Sequence, residues 1–181
     1  TVTANTPRRC YHCKIRGFGL IRDTAKQEGI THLLQGVNRD DMGDYRPGIA
    51  ASKELGFKAP LVEAGFTKQD IRECSRQLGL PTWDLPSQSC LATRIPVNDP
   101  ITETALDRIE RAEDLLHNLG FPQVRVRYHG NLARIETPAE DIARLAEPDI
   151  RLQITDGLKP LGFTFISLDL EGYATGKMNT P

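Results

Sequence analysis

Thr31-His32-Leu33-Leu34-Gln35-Gly36, running straight into Val37-Asn38-Arg39-Asp40-Asp41, is the stretch on which the reading of this chain turns. It is short, apolar in its centre and followed by a polar loop, as a strand buried in a parallel sheet is. Before it, Ile15, Phe18, Ile21 and Ala25 recur at helical spacing and Gly29 stops the helix, which the pattern places over Ile15 to Glu28. After it the same rhythm repeats. Ile49 to Leu55 reads as a short helix ending at Gly56, Ala59 to Val62 as the next strand, and Thr67 as the cap of a helix from Lys68 to Leu78 that Gly79 ends. Alternating strands and helices predict an α/β chain with parallel strands, whose ligands lie beyond the strand C-termini. The loop from Asn38 to Gly48 occupies such an end.

Leu80 to Asp99 contains Pro81, Pro86 and Pro96, so no regular element runs through it; it reads as a functional connector. Beyond it, Leu106, Ile109, Ala112, Leu115, Leu116 and Leu119 share one face of a helix over Thr102 to Leu119 that Gly120 terminates. Val124 to Tyr128 and Leu132 to Glu136 alternate as strands, and Gly130-Asn131 between them signals a hairpin. Short helices over Pro138 to Ala146 and Asp149 to Leu161 and a last strand over Phe163 to Leu168 complete a small α+β domain. The expected division is therefore residues 1–94 and 95–181.

The 181 residues are 39% apolar and 26% charged with a net charge of -1, an ordinary globular balance that gives no basic footprint for nucleic-acid binding. No apolar run is long enough to span a bilayer and the first residues lack the apolar stretch of a signal peptide, so the expectation is a cytoplasmic protein. In a reducing compartment four cysteines favour metal binding or catalysis over disulfides. Cys10 and Cys13 are spaced to converge on one metal from a tight turn, and the distant Cys90 closes three corners of a thiolate site. A structural zinc knuckle, a redox pair or unrelated thiols fit the same spacing. Cys74, inside a helix, reads as a partly buried inert thiol, and His12 as pointing outward.

Gly36-Val37-Asn38-Arg39-Asp40-Asp41 with Asp44-Tyr45-Arg46-Pro47-Gly48, Pro60-Leu61-Val62-Glu63-Ala64-Gly65 and Leu78-Gly79-Leu80-Pro81 resemble the second half of a PP-loop ATP pyrophosphatase domain. Adding Pro86-Ser87-Gln88-Ser89-Cys90-Leu91-Ala92-Thr93-Arg94-Ile95-Pro96 and Asp169-Leu170-Glu171-Gly172-Tyr173 narrows the resemblance to the LarE family of ATP-dependent sulfur transferases of nickel-pincer nucleotide biosynthesis. The resemblance implies the C-terminal half of a Rossmann-like PP-loop ATPase domain followed by the small α+β domain. Family members open with a strand and a Ser-Gly-Gly-x-Asp-Ser loop that holds the ATP phosphates. This sequence contains no such loop, and the expectation is that an N-terminal segment carrying it is missing.

The implied chemistry is activation of a carboxylate by ATP, with loss of pyrophosphate, followed by displacement of AMP by sulfur. The implied substrate is pyridinium-3,5-biscarboxylate mononucleotide. In one version of the family a single cysteine, here Cys90, sacrifices its own sulfur; in the other, three cysteines hold a 4Fe-4S cluster. Cys10, Cys13 and Cys90 together favour the second. The resemblance further implies ATP and Mg²⁺ at Asn38, Asp40, Asp41 and Lys68, nickel-pincer pathway proteins as partners, and a homo-oligomer. Two other readings stand beside it: a zinc-stabilised binding module without turnover, and a PP-loop tRNA thiolase, for which the chain lacks a basic face or zinc ribbons.

The remaining candidates each carry two readings. Arg125 and Arg127 alternate with Val124 and Val126, which solvent exposure alone explains; the resemblance makes them a paired clamp for a phosphate or carboxylate. Glu113 is either a surface partner of Arg111 or, by resemblance, a catalytic-site carboxylate. Thr93 and Arg94 are either a loop cap or substrate contacts. Asp40 and Asp41 are either turn caps or contacts to Mg²⁺ or ribose.

Overall fold

The structure, a computed structural model, describes residues 1–43, 46–85 and 88–174. Asp44, Tyr45, Pro86 and Ser87 of the motifs quoted above lie outside the described residues. The chain forms two compact units, one of Thr1–Val2 with Thr6–Ser87, the other of Thr3–Asn5 with Gln88–Pro181.

In the first unit the opening helix is longer than its apolar pattern: α1 runs over Arg9–Gln27 and takes Cys10 and Cys13 into its first turns. It packs on α2, Pro47–Glu54, where the rings of Phe18 and Phe57 stack 4.4 Å apart and Gly48 passes so close to α1 that a Cβ there would stand 2.9 Å from Lys14 Cδ. The expected strand over Thr31 to Gly36 is reduced to a single parallel bridge, Leu34 to Lys58, with Gln35 N–H donating to Lys58 O and Lys58 N–H to Leu33 O. Leu34 is 60% exposed, so this is no buried strand. The expected strand over Ala59 to Val62 is a helical turn, α3 (Pro60–Glu63). Proline accounts for the second: its fixed φ starts a helix at Pro60, so the chain leaves the strand path directly after Lys58 and Ala59. α4 (Lys68–Gln77) begins at the expected cap, Thr67, which with Asp70 forms a reciprocal capping box that holds the Asp70 carboxyl below its ordinary range. Cys74 on this helix is exposed, not partly buried, because charged and polar residues surround it on α4.

The second unit follows the sequence closely. α5 (Glu103–Asn118) starts at Thr102, whose hydroxyl accepts from Ala105 N–H, and buries Ala105, Ile109, Ala112 and Leu116. β1 (Arg125–His129) and β2 (Leu132–Glu136) form the hairpin through Gly130, and β3 (Phe165–Leu168) joins β2 in parallel after α6 (Ile142–Leu145) and α7 (Pro148–Leu158). One sheet face meets Ala112, Leu116, Phe121, Leu145, Ile154, Leu158 and Phe163 through Val126, Ala133 and Ile135. The register sets Arg125 opposite Glu136 and Arg127 opposite Arg134 on the other face. The molecule is thus α/β with a small mixed sheet, and no described helix is long and apolar enough to cross a membrane.

The turn after β3 closes on a backbone contact that only glycine allows. Gly172 has φ 74°, and a Cβ there would lie 2.8 Å from Thr137 O. Gly172→Ala should therefore destabilise the protein by about 2 kcal/mol or more through strain and the clash together. An unchanged urea midpoint would show that the turn relaxes freely.

Candidate functional site

The candidate site of the second unit is built around three buried guanidiniums, one from a short loop and two from a strand. Leu91–Arg94 forms a 3-10 turn directly after Cys90. Arg94, 3% exposed, reaches α5 and makes a two-pronged ion pair with Glu113, Nε to Oε1 at 2.8 Å and Nη2 to Oε2 at 2.8 Å. Glu113 Oε1 also accepts from Val126 N–H at 2.9 Å, which ties α5 to β1. The other arm of Arg94 gathers the loop: Nη1 donates to Ser89 O, Ser89 Oγ, Cys90 O and Thr93 Oγ1. Thr93 Oγ1 itself donates to Cys90 O at 2.7 Å. The backbone of Cys90 is thereby fixed while its side chain remains exposed.

This pairing decides between the two readings of Glu113 as a surface residue or a buried one. Glu113 is no surface partner of Arg111, which instead faces Asp107 at 3.6 Å. The segment carrying Cys90, Thr93 and Arg94 belongs to the second unit, where Arg94 is anchored on a carboxylate of α5.

Arg125 and Arg127 are each 5% exposed, so solvent exposure does not explain their alternation with valines. Both faces of β1 are covered: one by the apolar core, the other by charge. Arg127 Nη2 donates to Glu136 Oε2 at 2.5 Å and its Nη1 to Thr93 O at 3.1 Å, while its buried Nε has no hydrogen-bond partner among the described residues. Arg125 Nη1 donates to Val124 O, and its guanidinium lies 5.5 Å from the centre of the Tyr173 ring. Burial and the neighbouring Arg94 lower the Arg125 pKa, the mark of a cation placed where water is scarce. Glu136 is fully buried and bridges Arg127 to Arg134, which also pairs with Asp169. Glu136, Arg134, Asp169 and Tyr173 were not singled out as site residues in the sequence. The alternation Arg134-Ile135-Glu136 opposite Arg125-Val126-Arg127 is the signal that finds the first two.

In the first unit the Asn38 loop is knit by its own side chains. Asn38 Oδ1 accepts from the N–H groups of Asp40 and Asp41, Asp41 Oδ2 accepts from Asn38 N–H, and Asp41 Oδ1 pairs with Arg46 at 2.9 Å. Asp40 accepts from the backbone N–H of Lys68 at 2.8 Å, which brings these two candidates together at the start of α4. Cys10 and Cys13, three residues apart on a helix, sit on one face of α1, and both are exposed. The CxxC is thus helical rather than a tight turn. Within either unit, no three described His, Cys, Asp or Glu side chains are grouped to hold a metal ion; the two α1 thiols belong to one unit and Cys90 to the other.

The chain has curated relatives over nearly its whole length. It is 36% identical over 175 residues to the pyridinium-3,5-bisthiocarboxylic acid mononucleotide synthase of Lactiplantibacillus plantarum, covering 97% of this chain and 63% of that protein. It is 45% identical over 178 residues to an uncharacterized protein of Synechocystis sp., covering 98% and 66%, and 30% identical over 172 residues to one of Methanocaldococcus jannaschii, covering 95% and 66%. The chain therefore spans a little under two thirds of the length of these relatives. No protein-family model matches it.

Two measurements test the electrostatics. Glu113→Ala leaves Arg94 buried without its carboxylate and should cost about 3–5 kcal/mol in urea unfolding, much of which Arg94→Met with Glu113→Leu should restore. A single-variant cost below about 1 kcal/mol would remove the pair as the anchor of the loop. His129, at the end of β1, has its pKa lowered by burial and by Arg134. The unfolded chain then binds the proton first, so stability should fall as pH drops through about 6.5 and level off below the folded value. His129→Gln should flatten that part of the profile; an unchanged slope between pH 5 and 7 would assign it to other groups.

Proposed function

We propose that the chain is a LarE-type sulfur transferase that converts carboxylates of pyridinium-3,5-biscarboxylate mononucleotide to thiocarboxylates. The observation that carries this reading is the connection between an anion clamp and a presented thiol. Arg127, buried beside Arg125, donates to the carbonyl of Thr93, three residues from the exposed Cys90. A nucleotide phosphate held by those two guanidiniums is anchored on the strand that the Cys90 loop leans against. The similarity to the plantarum synthase over 97% of the chain supports the same substrate class.

In this reading Arg125 and Arg127 bind the phosphate, and Arg94 and Thr93 fix the loop at the substrate's edge. Glu113 holds Arg94 in place from α5 and stands as the carboxylate at the reacting end. Asn38, Asp40, Asp41 and Lys68 serve ATP and Mg²⁺. A substrate carboxylate oxygen attacks the α-phosphorus of ATP and pyrophosphate leaves; sulfur then adds to the acyl carbon and AMP leaves with the C–O bond pair. Cys10, Cys13 and Cys90, all exposed free thiols, are the donors that would hold a 4Fe-4S cluster, and three soft thiolates suit iron. When bound, the cluster supplies an iron open to sulfide. In this reading the C-terminal half of a PP-loop domain occupies the first unit and the substrate-binding domain the second. Nickel-pincer pathway proteins as partners and a homo-oligomer go with the same proposal.

Calorimetry with ribose 5-phosphate tests the clamp. Arg125→Lys and Arg127→Lys keep the charge but lose the fork, and each should weaken binding about tenfold or more. Equal affinities in wild type and variants would take the arginines out of the site. The cluster is tested separately by anaerobic iron and sulfide analysis: serine at position 10, 13 or 90 should abolish iron retention and serine at 74 should not. Conversion of Cys90 to dehydroalanine after turnover would instead make that thiol the sulfur source.

A further inference from the structure

We infer that Asp169 is a positioning residue that sets both arms of the Arg125/Arg127 anion clamp. This deepens the proposed function and rests on its reading of the clamp. Two chains of contacts lead from Asp169 to the two guanidiniums.

The first chain is ionic. Asp169 Oδ2 accepts from Arg134 Nη1, the same nitrogen donates to Glu136 Oε1 at 2.8 Å, and Glu136 Oε2 accepts from Arg127 Nη2 at 2.5 Å. Glu136 has no exposed surface, so its orientation is set by the two guanidiniums it bridges. Arg134 in turn pairs with Asp169, the outer carboxylate of the relay.

The second chain is backbone. Asp169 N–H donates to Ile135 O on β2, Asp169 Oδ1 accepts from Glu171 N–H, and Asp169 O accepts from Gly172 N–H. These bonds form the turn whose next residue, Tyr173, donates its N–H to Thr137 O and places its ring over Arg125. The Asp169 carboxylate therefore reaches Arg127 through charge, and its other oxygen, by accepting from Glu171 N–H, joins the backbone bonds of the turn that carries Tyr173 to Arg125. A network that served only to neutralise buried charge needs the first chain and gives no reason for the second to end on the other clamp residue.

Asp169→Asn keeps an oxygen for Glu171 N–H and removes the charge facing Arg134. It should weaken ribose 5-phosphate binding about tenfold in calorimetry, the size expected when one member of a charge-assisted network is lost. In an Arg127→Lys background the same change should have much less effect, since it acts through Arg127. Arg134→Gln, which removes the positive charge that Glu136 and Asp169 share, is the second variant and should behave alike if Asp169→Asn does not fold. Unchanged affinity in the folded variant, or losses that add fully with Arg127→Lys, would overturn the inference and leave Asp169 as a structural turn residue. Wild-type protein that binds no ribose 5-phosphate would overturn the clamp itself, a different failure read in the first titration.

Discussion

The contact on which the second unit depends is the buried pair between Arg94 and Glu113. Two charges taken out of water are costly, and only good geometry with further hydrogen bonds offsets that cost. Both conditions are met: the pair is two-pronged, and the spare capacity of each partner is used, Glu113 by Val126 N–H and Arg94 by the loop around Cys90. A loop with no regular structure is thus specified by an ionic contact with helix α5. Without it, Ser89, Cys90 and Thr93 lose the donor they share.

The same logic extends across the sheet. β1 and β2 alternate apolar and charged residues, the pattern of a strand pair with one dry and one wet face. Here the second face is also covered, so Arg125, Arg127 and Glu136 are buried beside a core of Val126, Ala133 and Ile135. Carboxylates shared between guanidiniums hold such a face together: Glu136 serves Arg127 and Arg134, and Asp169 serves Arg134 again. The outcome is a face of paired charges inside the fold, where each ion pair meets little competition from water.

In the first unit, local hydrogen bonds do the organising. Asn38 and Asp41 close a turn on each other, and Asp40 fastens it to the first N–H of α4. Such a turn presents backbone and carboxylates in a fixed array without a large core beneath it.

Local rules carried much of this fold. The face of α5, the cap at Thr67, the hairpin at Gly130 and the last strand were legible because each is set by near neighbours: apolar period, capping hydroxyl, positive φ. The chemistry-bearing residue types were legible as well, since CxxC, the loop after Cys90 and the paired arginines are patterns in the sequence itself. Sequence alone could not fix what depends on distant partners. An apolar run at Thr31 to Gly36 looks like a buried strand, yet it bridges at one position, because Pro60 turns its partner into a helix. Arg125 and Arg127 look like a solvated stripe until the Cys90 loop and the Tyr173 turn cover them. Glu113 has Arg111 two positions away, and only the tertiary fold brings it Arg94, nineteen residues back. Periodicity reports which side of an element is apolar; what covers the other side is decided by contacts across the fold, and there the charges of this protein found their partners.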